Sequence, residues 1–481
     1  MLFISDRKPE IVCNFQQAVL KPIIDDGSLF VPSFIPKIDY KTIITYEEKN
    51  YKEMLIDMIL KFWSECDNVN IVNDLVDNAF KNFNKNFIDD KNNEQHEYFD
   101  GYFSIDKFDD KNNIINFTYG PSGNVKDYGY CLTAEFVNYF SEKLNCKATI
   151  VNCLDNSSNI SSAFAISNHS NLDGFVIINN KINNTAKGLL SKAYSNNLSY
   201  ISVDDGFNFF ENLNKNIINN RSLQEIKNIS FINELNILNI IAYLPFFFKL
   251  YKQCNYKPFC ISVPAGNLSL CISALIARNM GIPIAKTILC VERNLFLLNF
   301  QELKIAKKYE LDENLLGYSN LNCSFPSNFE RLLFYLYNSD QLSVRRVLSS
   351  IKDSGVCKIN DNILNNFLTY FYVSKTDNIF SLQNTISMMQ KTKNKIYDIH
   401  FVISYTGYEN SLLNLGSEIS KYPVVFFNTM HYKRNIDFIN NAIGYELQGI
   451  TFPWKQEDVE NFTSIQLNNN EEDILKYIIN L

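Results

Sequence analysis

The chain has 481 residues, of which 46% are hydrophobic and 20% are charged, and it carries a formal net charge of −7 with an isoelectric point near 5.4. This length and composition are typical of a globular protein with two or three domains. An acidic chain without a basic stripe is a poor partner for nucleic acid or for an anionic membrane, so we expect neither.

The eleven cysteines stand singly along the chain, without the two-residue spacing of a metal knuckle or a redox motif. They predict free, mostly buried thiols in a reducing compartment. The first residues, MLFISDRKPE, have no apolar signal region, and the apolar run Ile237 to Phe248 is short for a membrane span and contains Asn239 and Pro245. We therefore expect a cytoplasmic protein in which this run belongs to the core.

The first hundred residues predict a short strand at LFIS and an amphipathic helical pattern from Tyr51 to Phe80. A polar segment from Phe87 to Asn113 then suggests a boundary. The domain organisation predicted from these features is an N-terminal domain at 1–95, an α/β core at 96–330 and a C-terminal α/β region at 331–481.

Strands and helices alternate after this boundary. Strands are predicted at NIINFTY, KATIVNCL, GFVIIN, LSYISVD, PFCISVP and IPIAKTILCV, and helices at about Tyr128 to Leu144, near Ser162, near Lys187, from Asn233, and at Ser269 to Met280. Continuous Ile- and Val-rich strands favour parallel sheets covered by helices on both faces, so the predicted class is α/β. The part beyond Leu332 looks more helical, with one further strand at Ile399 to Thr406.

Two strand-to-helix turns can hold a phosphate group. In SVPAGNLSL, Gly266 follows a predicted strand and precedes a helix, where exposed amides and the positive helix end favour an anion. In GPSGNVKDYG, Lys126 stands at the start of a helix, where a buried amine must be neutralised, paired or used covalently. Taken alone, Gly266 can serve simply to form its turn, and Lys126 can hold its amine in water.

Four segments resemble threonine synthase, a pyridoxal phosphate enzyme of fold type II, the tryptophan synthase β-like fold. They are, in chain order, FQQAVLKPIIDDGSLFVPSFIP from Phe15, YGPSGNVKDYG from Tyr119, SVPAGNLSL from Ser262 and FPSNFERLLFYLY from Phe325. The second is similar to the family's His-Gly-Pro-Thr-x-x-Phe-Lys-Asp-Phe-Gly, and the third to its Ser-Val-Pro-x-Gly-Asn-Phe-Gly-Asn. Four matches in the same order are far more specific than any one of them.

The resemblance implies that Lys126 carries pyridoxal 5′-phosphate as an imine and moves protons during catalysis, while Asp127 orients the lysine turn. It also implies that Gly266, Asn267, Leu268 and Ser269 hold the cofactor phosphate. The implied reaction converts O-phosphohomoserine and water into threonine and phosphate, in a monomer or a homodimer.

Several family positions differ in this chain. The family's Ser-Gly-Asp-Thr-Gly loop falls on residues 156–161, where Ser157 and Asn159 are expected to contact the cofactor and Ser158 the substrate. Its Asn-Ser-Ile-Asn-x-x-Arg stretch corresponds to NELNILN, which keeps Asn236 for the substrate but has Asn239 in place of the phosphate-binding arginine.

Two further family segments were placed near the C-terminus. The family's Asp-Pro-His-Thr-Ala falls on Ser381 to Ser387, and its Thr-Ala-His-Pro-Ala-Lys-Phe falls on Ile403 to Asn410, without either histidine or the lysine. Ser404 or Thr406 is expected to face the pyridine nitrogen. The four histidines match no family position, are interpreted as surface or loop residues, and have no metal-site spacing.

These differences leave two alternatives to threonine synthase activity. One is a fold type II protein with reduced or no catalysis, and the other is a related enzyme that eliminates a different amino acid.

Overall fold

The computed structural model describes residues 1–87, 96–154, 160–204, 207–292, 294–309, 321, 323–376 and 378–480. Over these ranges two mostly parallel β-sheets are packed with helices, which confirms the predicted α/β class.

The larger sheet positions the candidate site. Its seven strands, in spatial order, are β15 (Phe371–Lys375), β12 (Ile284–Val291), β11 (Phe259–Pro264), β16 (Val424–Asn428), β6 (Asn113–Asn116), β5 (Ser104–Lys107) and β4 (Tyr98–Phe99). The first five run parallel, and β5 and β4 extend the sheet by antiparallel pairing. The segments that follow β6, β11 and β16 therefore leave the sheet at the same edge.

The second sheet is parallel throughout. In spatial order its strands are β10 (Ile229–Ser230), β7 (Ala148–Leu154), β8 (Leu172–Asn179), β9 (Leu198–Val203) and β17 (Ile465–Gln466). Two small antiparallel sheets join β2 (Val12–Cys13), β1 (Phe3–Ser5) and β3 (Phe30–Pro32), and β13 (Ile305–Lys307) and β14 (Val356–Lys358).

The helices of the first half of the chain are α1 (Phe15–Leu20), α2 (Tyr40–Thr45), α3 (Tyr51–Phe62), α4 (Val69–Phe80), α5 (Lys126–Lys143), α6 (Ile160–Ile166), α7 (Asn184–Lys192), α8 (Phe207–Asn219), α9 (Arg221–Lys227) and α10 (Ile237–Ile241). Those of the second half are α11 (Leu244–Gln253), α12 (Ser269–Met280), α13 (Leu295–Glu302), α14 (Phe329–Leu336), α15 (Gln341–Ser354), α16 (Asp361–Tyr370), α17 (Ile379–Lys393), α18 (Ile399–Leu415), α19 (Ser417–Ser420), α20 (Ile436–Ile443), α21 (Gln456–Glu460) and α22 (Glu471–Asn480).

The predicted alternation is confirmed for β6 to β9, β11 and β12 and for helices α5, α6, α7 and α12, whereas α8 and α9 were not predicted. Helix α12 has the predicted bounds, because Gly281 at its C-terminus takes a positive φ of 129° that ends it. The pattern from Tyr51 to Phe80 is two helices, since Trp63 closes the first. The helix predicted from Asn233 begins later, because Asn236 caps α10 by accepting from the Leu238 amide at 3.2 Å.

The strand predicted at Ile399 to Thr406 is wrong, since these residues open α18. Asp398 caps that helix by accepting from the His400 amide at 2.9 Å, and Gly416 ends it. A short continuous apolar run fits a buried strand and a buried helix equally well, so its pattern did not separate the two. Beyond residue 332, the described residues instead form four strands, β14 to β17.

The apolar run Ile237 to Phe248 lies in the core, as expected. It forms α10 and the start of α11, and Phe246 stacks on Tyr51 with ring centroids 5.0 Å apart. Within the described ranges, no helix combines the length and the apolar character needed to cross a bilayer.

Candidate active site

Three segments meet where the larger sheet ends. The Gly120 to Val125 turn follows β6, the Ala265 to Leu268 turn follows β11, and residues 429–434 follow β16. Hydrogen bonds join the first and third segments, because the Val125 amide donates to the Thr429 carbonyl at 2.9 Å and the His431 amide donates to the Gly123 carbonyl at 2.8 Å. The edge at which ligands bind in open α/β sheets is thus built by residues far apart in sequence.

Asp127 organises the turn before α5. Its carboxylate is buried and accepts from the Ser122 amide at 2.9 Å, the Ser122 hydroxyl at 2.7 Å and the Asn124 amide at 3.2 Å. Burial raises the pKa of Asp127, although hydrogen bonds from Ser122, Ser161 and Asn124 and the charge of Arg434 act in the other direction. Asp127 therefore fixes the conformation of the backbone that presents Lys126.

Arg434 supports the same turn from the other side. The guanidinium is buried and donates to the Ser122 carbonyl at 2.8 Å and to the Ser122 hydroxyl at 3.1 Å. Burial lowers its pKa to about 10, against the charges of Asp127 and Asp398. The positive charge is thus placed behind the lysine turn and is held close to Asp127.

Lys126 is the first residue of α5, two residues before the predicted start of that helix. Its backbone amide donates to the Asn124 side chain at 2.9 Å, and its side chain is half-buried. The Nζ atom lies 6.0 Å from the centroid of the Tyr130 ring, one helical turn further on. The amine is therefore presented on the same face of α5 as Tyr130.

The carboxylate of Glu234 lies on this face. It accepts from the Tyr130 hydroxyl at 2.8 Å and from the Ser327 hydroxyl at 2.9 Å. Burial alone would raise the pKa of Glu234, but the nearby charge of Lys126, a backbone amide and the two hydroxyls outweigh it and lower that pKa. Glu234 is therefore an anion at neutral pH, beside the candidate reactive amine.

The Gly266 turn is tightly held. The Leu268 amide donates to the Ser327 carbonyl at 3.0 Å, and the Ser269 amide donates to the Asn267 side chain at 3.1 Å. A Cβ atom on Gly266 would lie 3.1 Å from the Cα and carbonyl oxygen of Leu321. The close approach of the Leu321 backbone thus gives a structural reason for glycine here.

Ser269 connects this turn to Glu234. Its hydroxyl donates to the Glu234 carbonyl at 3.4 Å and accepts from the side-chain amides of Asn239 and Asn328, each at 3.2 Å. Ser269 is the first residue of α12 rather than its cap, and Leu268 before it is fully buried. Asn239, in place of the expected arginine, also accepts from the Tyr243 hydroxyl at 3.3 Å.

The structure places the remaining predicted site residues differently. Ser157, Ser158 and Asn159 lie outside the described residues. Asn236 is fully buried and donates to the carbonyls of Val19, at 2.8 Å, and Phe231, at 3.3 Å.

The two hydroxyls proposed for the pyridine nitrogen lie on α18. The Ser404 hydroxyl donates to the Ser262 carbonyl of β11 at 2.5 Å, and the Thr406 hydroxyl donates to the Val402 carbonyl of its own helix at 2.9 Å.

Sequence reasoning missed the segment after β16. Thr429, His431 and Arg434 have the spacing of the threonine, the histidine and the lysine in Thr-Ala-His-Pro-Ala-Lys-Phe, and they contact the lysine turn. The buried strand VVFFN just before them was the available signal. The interpretation of the histidines as surface or loop residues is wrong for His400, which is buried in α18 and lies 2.8 Å from the Thr429 hydroxyl.

Comparisons with known proteins find similarity to threonine synthases. Residues 2–80 match the family described as "Threonine synthase N terminus". The threonine synthase of Pseudomonas aeruginosa is 22% identical over 366 residues, which cover 75% of this chain and 74% of the relative. The threonine synthase of Saccharomyces cerevisiae is 20% identical over 465 residues, which cover 89% and 86%.

The three-dimensional comparison covers the whole chain. The crystal structure of the pyridoxal-phosphate-bound threonine synthase of Brucella melitensis superposes with a TM-score of 0.87 at 21% identity, over 100% of this chain and 99% of that one. The chain has the threonine synthase fold. It is therefore of fold type II, as the sequence resemblance implied.

In this threonine synthase-like fold, the site has a different charge from the one the family motifs describe. Glu234 stands where the family stretch has serine, and Asn239 stands where it has arginine. The described residues contain no cluster of histidine, cysteine or acidic side chains able to hold a metal ion.

Proposed function

We propose that this chain is a pyridoxal-phosphate-dependent lyase that converts O-phosphohomoserine and water into threonine and phosphate. The observation that carries the proposal is the position of Lys126, half-buried at the start of α5 and at the edge where the turns after β6, β11 and β16 meet. The likeness in fold and sequence to threonine synthases supports it.

The Gly266 turn fits a phosphate group. Among the described residues, neither the Gly266 amide nor the Asn267 amide donates a hydrogen bond, while the Leu268 amide donates to the Ser327 carbonyl and the Ser269 amide donates to the Asn267 side chain. Two available N–H groups ahead of a helix form an anion site, so these residues would hold the cofactor phosphate. Lys126 would bind the cofactor aldehyde through its amine, and pyridoxal phosphate would withdraw electrons from the α carbon of the substrate.

The chain's own groups would hold and move protons. Nζ of Lys126, once released by the incoming amino acid, can take a proton from one substrate carbon and return it to another. Asp127 and Arg434 keep the lysine turn in place through Ser122. Thr429 joins Ser404 and Thr406 as a candidate hydroxyl for the pyridine nitrogen.

We also propose a cytoplasmic location for the protein. Seven of the eleven cysteines are buried, which fits a reducing compartment such as the cytoplasm. A domain division at residues 95 and 330 and a monomeric or homodimeric state stay predictions.

The test is to incubate the purified protein with pyridoxal 5′-phosphate and O-phosphohomoserine and to measure threonine and phosphate. We expect both products in equal amounts, and we expect Lys126→Ala to lower turnover by about a thousandfold, because it removes the proton-transfer group. Product formation that does not depend on Lys126, or no product from the wild-type protein, would overturn the proposal.

A second candidate is an enzyme that eliminates a hydroxy amino acid. It is favoured by the anionic Glu234 beside Lys126 together with Asn239, because a phosphate dianion lacks a cation there and meets a carboxylate. Serine and threonine, tested in parallel, would then give ammonia and a keto acid, while phosphohomoserine would give no threonine. Inactivity on all three, with an adduct still formed at Lys126, would indicate a protein that has lost the reaction.

A further inference from the structure

Glu234 replaces the serine of the family's Asn-Ser-Ile-Asn-x-x-Arg stretch, and hydrogen bonds from several segments hold it in place. Tyr130 on α5 and Ser327 before α14 each donate a hydroxyl to one of its two oxygens. Its backbone carbonyl accepts from Ser269 and Asn328, so the residue is also fixed to the turn that opens α12. The carboxylate is therefore held by two hydroxyls and the backbone by two further side chains, which together fix the position of Glu234.

Tyr130 connects this carboxylate to Lys126. The lysine Nζ lies over the Tyr130 ring, at 6.0 Å from its centroid, and the hydroxyl of the same ring binds Glu234 at 2.8 Å. The ammonium and the carboxylate thus share one face of α5. Their attraction acts through a partly buried region, where it is weakened less by water than on an open surface.

Among the described residues, Asp127, Arg434 and Tyr243 are further titratable groups at the lysine turn, and each has other partners. Asp127 is bound inside its turn by Ser122 and Asn124, and Arg434 binds the same Ser122. Tyr243, from the junction of α10 and α11, donates to Val125 and Asn239, and burial raises its pKa, so it is neutral.

We infer that Glu234 is a positioning residue for Lys126, which holds the lysine side chain toward the Gly266 turn and keeps it in the ammonium form until an aldehyde arrives. The inference rests on the proposed function only in taking Lys126 as the reacting amine. To react, Nζ gives one proton to water and forms a C=N bond with the aldehyde carbon, and the carbonyl oxygen leaves as water with the other two hydrogens of Nζ. Glu234 therefore sets the pH at which this reaction becomes fast.

The test uses formaldehyde and cyanoborohydride, which methylate free amines without any phosphate site. Cyanoborohydride supplies the hydride that reduces the C=N bond. The rate of methylation at Lys126 is followed by peptide mass spectrometry from about pH 6 to about pH 10. The exposed Lys147 in the same digest serves as the internal standard.

In Glu234→Gln the ammonium loses its neighbouring anion. We expect Lys126 to be methylated about tenfold faster than in the wild-type protein at neutral pH, with the profile displaced by about one pH unit to lower values. Glu234→Asp keeps the charge and should retain the wild-type profile. The matched control is Glu135→Gln, since Glu135 is a buried carboxylate on α5 that pairs with His169 at 3.1 Å instead.

Identical profiles for the wild-type protein and a folded Glu234→Gln would overturn the inference. If Glu234→Gln does not fold, Tyr130→Phe replaces it, because this variant frees the carboxylate from one anchor. It should accelerate methylation at Lys126 by about threefold, and an unchanged rate would equally overturn the inference.

A separate arm with pyridoxal 5′-phosphate and borohydride distinguishes the two proposals. Absence of a phosphopyridoxyl adduct at Lys126, together with displaced formaldehyde profiles, would contradict the proposed cofactor and still support the role of Glu234.

Discussion

Gly120 shows how closely the lysine turn is packed. A Cβ atom added there would lie 2.3 Å from Oδ2 and 2.5 Å from Cβ of Asp127. The Asp127 side chain cannot readily shift to relieve this contact, because Ser122 and Asn124 hold its carboxylate through three hydrogen bonds. The buried Asp127 side chain therefore requires glycine at position 120, whether or not the turn also binds a ligand.

We expect Gly120→Ala to lower the free energy of unfolding by about 1–3 kcal/mol, because the added methyl overpacks the turn. Urea denaturation measures this change. Its origin is checked with Asp127→Gly and the double variant, in which the Asp127 side chain, including its Cβ, is absent and the clash is removed. Strictly additive effects in this cycle would contradict the proposed contact.

The sequence predicted Lys126 and Gly266 as site residues because each stands in a local pattern of strand, turn and helix. Glu234, Thr429 and Arg434 were not predicted, since their relevance depends on segments that meet only in the folded chain. A single sequence does not identify a site residue that stands outside any recognisable local motif.

Elements with clear ends were predicted well, and elements defined only by apolar content were not. Helix α12 follows a turn and ends at Gly281, so the sequence indicated both of its ends. Helix α18 is apolar on most sides and was taken for a strand, and the short strands β15 and β16 were missed. Burial on both faces removes the alternation that separates the two kinds of element.

Helix α14 illustrates how an element is tied to a distant one. Arg331 is fully buried and donates to the Phe30 carbonyl of β3 at 2.9 Å and to the Asn328 side chain at 2.6 Å. Burial lowers its pKa to about 10, against the charges of Asp6 and Glu330. The arginine of the Pro-Ser-Asn-Phe-Glu-Arg segment thus fastens the N-terminal residues to the region around Glu234.

We expect Arg331→Met to lower the free energy of unfolding by about 2–4 kcal/mol, because the Phe30 carbonyl and the Asn328 oxygen lose their buried donor. The matched control is Arg346→Met, at an exposed position of α15, which should change stability by less than about 0.5 kcal/mol. Equal losses of stability for the two variants, measured by thermal or urea unfolding, would show that the Arg331 contacts do not stabilise the fold.

Across the whole molecule, the N-terminal segment and the site helix share one core. Phe15 stacks on Trp63 with centroids 5.3 Å apart and packs edge-on against Phe136 of α5 at 5.9 Å. The strand order of the larger sheet was out of reach of the sequence, because pairing of residues 424–428 with residues 113–116 has no local signature.

Phe15→Ala should lower the free energy of unfolding by about 3–5 kcal/mol, through the cavity left between Trp63 and α5. Phe34→Ala, in the same segment but 61% exposed, is the control and should have little effect. Calorimetry measures the melting temperature of each variant. Similar values for the two would contradict a core shared by the N-terminal segment and α5.

The place of β16 in the larger sheet has a consequence for synthesis. This strand lies between β11 and β6, although it is made more than 150 residues after β11 and about 300 after β6. Until it has left the ribosome, both neighbours keep open hydrogen-bonding edges, and the lysine turn lacks the carbonyl of Thr429. At ordinary elongation rates, the nascent chain keeps these two strand edges exposed for tens of seconds. During this time chaperones, or helices of the chain itself, must cover the edges.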